Sequence, residues 1–188
     1  MNSSRTPPPD LAIAGRTPNR RPLRLAFLLF LAVYGVICLM SPEKGRLLDS
    51  VDLAIHEAGH LVFAPLGEFM GLLGGTLFQL IMPGAFLAYF RRRGDGYAAG
   101  VVLWWVAQNL WNISVYAADA RSRALPLVGG GEHDWHHILL RLELLQHDWL
   151  VAKVIHFAGI LVFGAALYIA LRHTGGRAAK PSAAHRGT

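Results

Sequence analysis

Four apolar runs, at residues 23–40, 72–90, 97–118 and 150–171, fill much of this 188-residue chain and restrict what it can become. A helix needs about 20 mostly apolar residues to cross the roughly 30 Å hydrocarbon layer of a bilayer. In that layer every backbone polar group must find its partner within the protein, which helices achieve segment by segment. The chain is 53% hydrophobic and 16% charged, whereas a soluble domain carries about 25% charged residues. The expected fold is all-α, an integral membrane helical bundle whose first partner is the lipid bilayer. The net charge of +6 does not signal nucleic acid. Lys and Arg gather beside the apolar runs, as in membrane proteins, and no aromatic-basic reading surface accompanies them. Cys38 is the one cysteine and lies inside the first run, so no intrachain disulfide forms.

Residues 1–22, "MNSSRTPPPDLAIAGRTPNRRP", are proline-rich and basic and are expected to be a disordered cytoplasmic N-terminus. Residues 23–171 form the membrane domain, and 172–188 a flexible basic tail. The first run has a long basic approach, and "ICLMSPEK" lacks a small-x-small cleavage pattern, so it reads as a retained helix rather than a signal peptide. Between the first two runs lies a shorter helix, expected to start at Ser50 or Asp52 and to end at Pro65 and Gly67. About 14 helical residues reach roughly 21 Å, too short to span. If this helix dips in and returns, the N-terminus, the Arg91-Arg92-Arg93 cluster and the basic tail share one side. The positive-inside rule prefers that arrangement. It gives about four spanning helices plus one half-embedded helix, in a bacterial inner membrane with both termini cytoplasmic. It also collects seven of the nine histidines towards the outer face.

The half-embedded helix carries "AIHEAGHLVF", with His56, Glu57 and His60. Residues four apart share a helical face, so both imidazoles reach one metal ion. Glu57 is rotated off that line, where it can hold a water as general base. Ionisable groups within a membrane are costly to bury and usually functional, which weighs against two merely packed histidines. Two residues compete as third ligand. Asp119 ends a polar stripe formed with Asn109, Asn112 and Tyr116 along one helical face; its asparagines suit helix–helix hydrogen bonding equally well. His133 lies in "GGGEHDWHH", where Gly129 to Gly131 allow a tight turn and Asp134 offers a carboxylate to orient an imidazole. The bland alternative is an interfacial loop with solvated histidines. His133 ranks ahead, with Asp119 then supporting it.

"HEAGH" resembles the helix of membrane-embedded zinc metallopeptidases, site-2-protease-like in a broad sense. The resemblance implies that His56 and His60 bind Zn2+ together with a distant aspartate, and that Glu57 activates water. It implies a zinc-dependent hydrolase, most simply a small metallopeptidase with a membrane-protein or peptide substrate. In that family the aspartate follows an Asn-x-x-Pro…Leu-Asp-Gly pattern, whose nearest analogue here is "NISVYAADAR", with Asn112 and Asp119. A second resemblance stays open. H-x-x-x-H in "HEAGH" and H-x-x-H-H in "HDWHH" are similar to the histidine boxes of membrane di-iron lipid oxygenases, which would imply two Fe. A non-enzymic metal-binding scaffold is the third reading. Trp104, Trp105 and Trp111 read as packing residues. "HHILLRLELLQHDW" reads as an interfacial amphipathic stretch, and Arg121 and Arg123 as partners of lipid phosphates or of Asp119.

Overall fold

The computed structural model describes residues 19–126 and 133–175. Most of the expected disordered N-terminus, the Gly129–Gly131 turn and most of the basic tail lie outside the described residues. The described chain is helical in the order α1 (Arg21–Met40), α2 (Leu47–Phe63), α3 (Glu68–Arg92), α4 (Gly96–Ala118), α5 (Asp134–Arg141) and α6 (Asp148–Arg172). Short 3₁₀ turns at Ala64–Leu66 and Leu145–His147 precede α3 and α6. Three stretches are long and apolar enough to cross a membrane: α1, α3, and Leu145–Arg172, which contains α6.

The motif helix α2 begins at Leu47, earlier than the Ser50 or Asp52 expected from capping propensity. Arg46 is the extended residue at its start, and its amide donates to Asp49 Oδ2 at 2.7 Å. The Arg46 guanidinium turns back to the Ser41 carbonyl at 2.8 Å and the Ile37 carbonyl at 3.2 Å. This adds donors to carbonyls at the end of α1 that also accept the Ser41 and Lys44 amides, and folds the 41–46 loop against α1. Pro65 and Gly67 do end the helix: Pro65 sits in the 3₁₀ turn, and Gly67 takes φ +101° before α3. α3 then runs 25 residues and continues through the buried Pro83. Proline has no N–H to offer the carbonyl four residues back, which is that of Gln79.

α2 and α3 pack antiparallel through small residues. A β-carbon on Gly74 would stand 2.7 Å from the Gly59 carbonyl oxygen, so neither helix has room for a side chain there. Gly67 is needed for its backbone angle, but Gly59 and Gly74 are needed for their lack of bulk.

α4 is the inner helix. Its buried residues, among them Ala99, Trp104, Gln108, Asn109, Trp111, Ile113 and Ala117, are distributed around the helix rather than on one face. A helix enclosed by protein can carry amides that a lipid-facing helix cannot. α6 lies closely along it: a β-carbon on Gly100 would stand 2.6 Å from the Ala170 amide nitrogen, and one on Gly159 would stand 2.5 Å from Trp111 Nε1. Leu31 and Cys38 of α1 join Trp104, Trp111, Phe163 and Ala166 in the larger apolar core. Trp104 Nε1 donates to the Leu31 carbonyl at 2.8 Å, so it is the packing residue expected.

The "HHILLRLELLQHDW" stretch is broken in two, α5 and a 3₁₀ turn, because Glu143 takes φ +59° between them. Leu140, Leu142, Leu144 and Trp149 are exposed along it, and Ile138 and Leu139 are buried. Arg121 pairs with the buried Asp148 at 2.8 Å, rather than with Asp119. That contact ties the end of α4 to the start of α6.

Candidate metal centre

The face of α2 turned inward carries Asp52, His56 and Gly59, all buried, with His60 at the edge. Each imidazole is fixed through its Nδ1. His56 Nδ1–H donates to Gln79 Oε1 on α3 at 3.2 Å, and Gln79 Nε2 in turn donates to Asn112 Oδ1 on α4 at 3.0 Å. His60 Nδ1–H donates to the Gly71 carbonyl on α3 at 2.8 Å. With each Nδ1–H engaged, both Nε2 atoms converge on one oxygen, Asp134 Oδ2, at 3.1 Å from His56 and 3.3 Å from His60. Without a metal, Nε2–H donates to that carboxylate oxygen; on losing this proton, Nε2 offers a lone pair to a metal. Gly75 leaves space for this: a β-carbon there would stand 2.5 Å from His56 Nε2.

Asp134 is the first residue of α5, and His133 caps that helix by accepting the His136 amide at 3.2 Å. Tyr116 of α4 holds Asp134 at two points. Its hydroxyl donates to Asp134 Oδ2 at 3.3 Å and accepts the Asp134 amide at 3.2 Å. Among the described residues, His56, His60 and Asp134 form the group of side chains able to hold a metal, with donor atoms within 4.8 Å of one another.

The two third-ligand candidates contact each other: His133 Nε2 lies 3.2 Å from Asp119 Oδ2. Asp119 also accepts the Ser122 hydroxyl and the Ala124 and Leu125 amides, the latter two at 2.9 Å. Burial pushes the Asp119 carboxyl up, but these hydrogen bonds outweigh it and hold the group below its ordinary range. Burial lowers His133, which favours the neutral ring. The pair therefore braces the start of α5, whose first residue is Asp134. His133 and Asp134 are adjacent in "EHDW", and the sequence shows both as chemistry-bearing. Only the position of α5 against Tyr116 makes the aspartate the one that faces the histidines. Gln79 was not anticipated at all; its signal is a lone amide in an otherwise apolar run.

The three donor atoms are able to hold a metal ion: all lie within 4.8 Å of one another, with Asp134 Oδ2 at 3.1 and 3.3 Å from the two Nε2 atoms. A backbone carbonyl on Nδ1–H, as at His60, is a usual outer partner of a metal-binding histidine. Without a metal, the same crowding is electrostatic. The hydrogen bond to Asp134 raises His60 to about 9, against the lowering effect of burial and with help from Gly71. Burial pushes Asp134 up, yet the two histidines bring it down to about 2.

The cluster opens on a cavity of about 500 Å³ whose wall includes Glu57, Thr76, Tyr116 and the apolar Leu53, Leu72 and Ile113. Glu57 is exposed within this opening, beside the histidines rather than among them. His136 Nδ1 is occupied by the Ala120 carbonyl at 2.8 Å. His156 lies against Trp111, with Ser114 Oγ at 3.5 Å from its Nδ1.

Fold and site together define an all-helical chain with membrane-length helices and a buried His–His–Asp group able to hold a metal. Comparison with protein-family models, with curated proteins and with solved structures gives no match for this chain.

Proposed function

We propose that this protein is a membrane-embedded zinc-dependent hydrolase, most simply a small metallopeptidase, in which His56, His60 and Asp134 hold the metal and Glu57 is the general base. The observation that carries the proposal is the convergence of two Nδ1-anchored imidazoles on one carboxylate oxygen, at 3.1 and 3.3 Å, close to the roughly 3.3 Å between ligand atoms on a tetrahedral zinc. Three protein ligands leave one position for water, the arrangement of catalytic rather than structural zinc. Zinc there supplies Lewis acidity, lowering the pKa of water and polarising a carbonyl. Glu57, one residue past His56 and facing the cavity, accepts the proton from water and passes it to the leaving group. Tyr116, whose hydroxyl donates to Asp134 Oδ2 and accepts the Asp134 amide, orients that carboxylate towards the two imidazoles.

In this reading α1, α3, α4 and α6 cross the bilayer of a bacterial inner membrane, with both termini cytoplasmic. α2 is half-embedded and the site lies near the outer surface, where a membrane-protein or peptide substrate enters the cavity. A single three-ligand group suits one zinc better than a di-iron pair, which needs a second complete ligand set.

Metal analysis by mass spectrometry on the purified protein tests the ligand assignment. One zinc per chain is expected, falling to a small fraction in Asp134→Ala and remaining full in Glu57→Gln. Glu57→Gln should also lose all detectable turnover of quenched fluorescent peptides. Two irons per chain would replace the proposal with the oxygenase. Full zinc with peptide turnover intact in Glu57→Gln would remove the general-base role.

A further inference from the structure

At the other end of the bundle, a second cavity of about 330 Å³ is walled by Arg24, Arg93, Arg172, His173 and the turn Gly94–Tyr97. That space is on the order of ten water molecules. Four helix ends meet there: the start of α1, the end of α3, the start of α4 and the end of α6. They are locked together. The Tyr97 hydroxyl donates to the Arg24 carbonyl at 2.9 Å, and Arg24 donates back across to the His173 carbonyl at 3.3 Å. A β-carbon on Gly96 would collide with the His173 ring.

The three guanidinium groups carry no ion pair among the described residues. Each is held by an aromatic ring instead: Arg24 over Tyr97 at 4.9 Å, Arg93 over Tyr89 at 5.5 Å and Arg172 over Tyr168 at 5.8 Å. One Nη1 is used on two of them, by the Tyr89 hydroxyl at 2.6 Å on Arg93 and by the His173 carbonyl at 3.3 Å on Arg24, and the other N–H groups of these forks remain for an anion. The one carboxylate in the wall, Asp95, caps α4 by accepting the Ala98 amide at 3.0 Å. The Gly96 and Tyr97 amides, first in a 23-residue helix, remain as donors at its positive end. Three guanidinium groups against one carboxylate leave the wall of this cavity with a net positive charge.

We infer that this cavity is a binding site for a phosphate group, taken by the Arg24, Arg93 and Arg172 guanidinium groups and the first amides of α4. The chemistry is shared by the headgroup of an anionic phospholipid and by free phosphate. Basic cavities between membrane helices on the cytoplasmic side suit the former. The site stands at the far end of the bundle from the metal centre and does not depend on its activity.

The full chain in neutral detergent is titrated with dioctanoyl-phosphatidylglycerol, with inorganic phosphate and with dioctanoylglycerol, following the thermal midpoint by tryptophan fluorescence. A bound ligand raises the midpoint saturably. Phosphatidylglycerol is expected to do so, and dioctanoylglycerol is not. A matching response to inorganic phosphate assigns the free anion; its absence assigns the lipid. Arg93→Gln and Arg172→Gln should each raise the half-saturating concentration roughly tenfold or more, as expected for a lost charge-assisted hydrogen bond. Lys153→Gln, a charge change on α6 outside this cavity, should leave it unchanged. Arg93→Lys, which keeps the charge, serves if Arg93→Gln does not fold. The inference is overturned if dioctanoylglycerol stabilises equally, if Lys153→Gln weakens binding as much as Arg93→Gln, or if the arginine variants leave half-saturation unmoved.

Discussion

Gly75 stands against His56 Nε2, the nitrogen proposed to bind the metal, so the smallest possible enlargement is informative. Gly75→Ala should displace the imidazole and cut zinc affinity by well over tenfold, while Gly84→Ala, on the same helix with open space beside it, should leave zinc unchanged. Zinc titrations of the two variants check this. His133 caps the helix that Asp134 begins, so His133→Ala should weaken zinc about 10–100-fold rather than abolish it, as competition with a chelator will show. Protons compete for the same atoms. His60, held protonated up to about 9 by Asp134, must lose its proton to bind metal, so zinc affinity should rise about tenfold per pH unit up to that value and flatten above it. A flat zinc affinity between pH 6 and 8 would contradict the His60–Asp134 coupling. In the metal-free protein the raised His60 adds stability that is complete below its ordinary 6.5 and lost as pH rises through about 9. The depressed Asp134 adds stability that is present above 3.8 and lost as pH falls towards about 2. Metal-free protein is thus stabilised most by this pair between about pH 4 and 6.5.

At the scale of elements, the close approach of α4 and α6 depends on residues without side chains. Gly100 has the Ala170 backbone at van der Waals range, and Gly159 has the Trp111 ring. Gly100→Val cannot be absorbed by a flexible neighbour, because the obstacle is backbone. It should cost about 1–3 kcal/mol, read as a lowered thermal midpoint in detergent. Gly164→Val on α6, where nothing lies within 4 Å, should change it little. The two variants separate close helix packing from a general intolerance of β-branched residues in these helices.

Across the whole molecule, the bundle has two chemically distinct ends. One gathers Arg24, Arg93 and Arg172; the other gathers His56, His60, His133 and Asp134. In the proposed topology these are the cytoplasmic and outer ends. Single cysteines replacing Lys44 and Arg92, in a Cys38→Ser background, should react with a membrane-impermeant maleimide from opposite sides. Labelling of both positions from one side of intact cells would overturn the half-embedded placement of α2.

The sequence by itself determined the helices and the two imidazoles. Apolar runs of membrane length admit little but helix, and the four-residue spacing of His56 and His60 places both rings on one face wherever the helix lies. The short reach of the motif helix followed from Pro65 and Gly67, and the meeting of the basic clusters from charge alone. Tertiary structure decided what completes the site. Sequence favoured His133 as the third ligand and left Asp134 only a supporting role, but a one-residue difference at a helix start points Asp134 at His56 and His60, and His133 at Asp119. That choice is made by Tyr116, which fixes the Asp134 amide and carboxylate together. The Asn109–Asn112–Tyr116–Asp119 stripe was visible as a polar face, but its partners lie on three other helices and on the α5 cap, and spacing along one chain segment carries no information about them. Gln79 shows the same limit: a single amide in an apolar run gains its meaning only when α3 packs against α2 closely enough to reach His56.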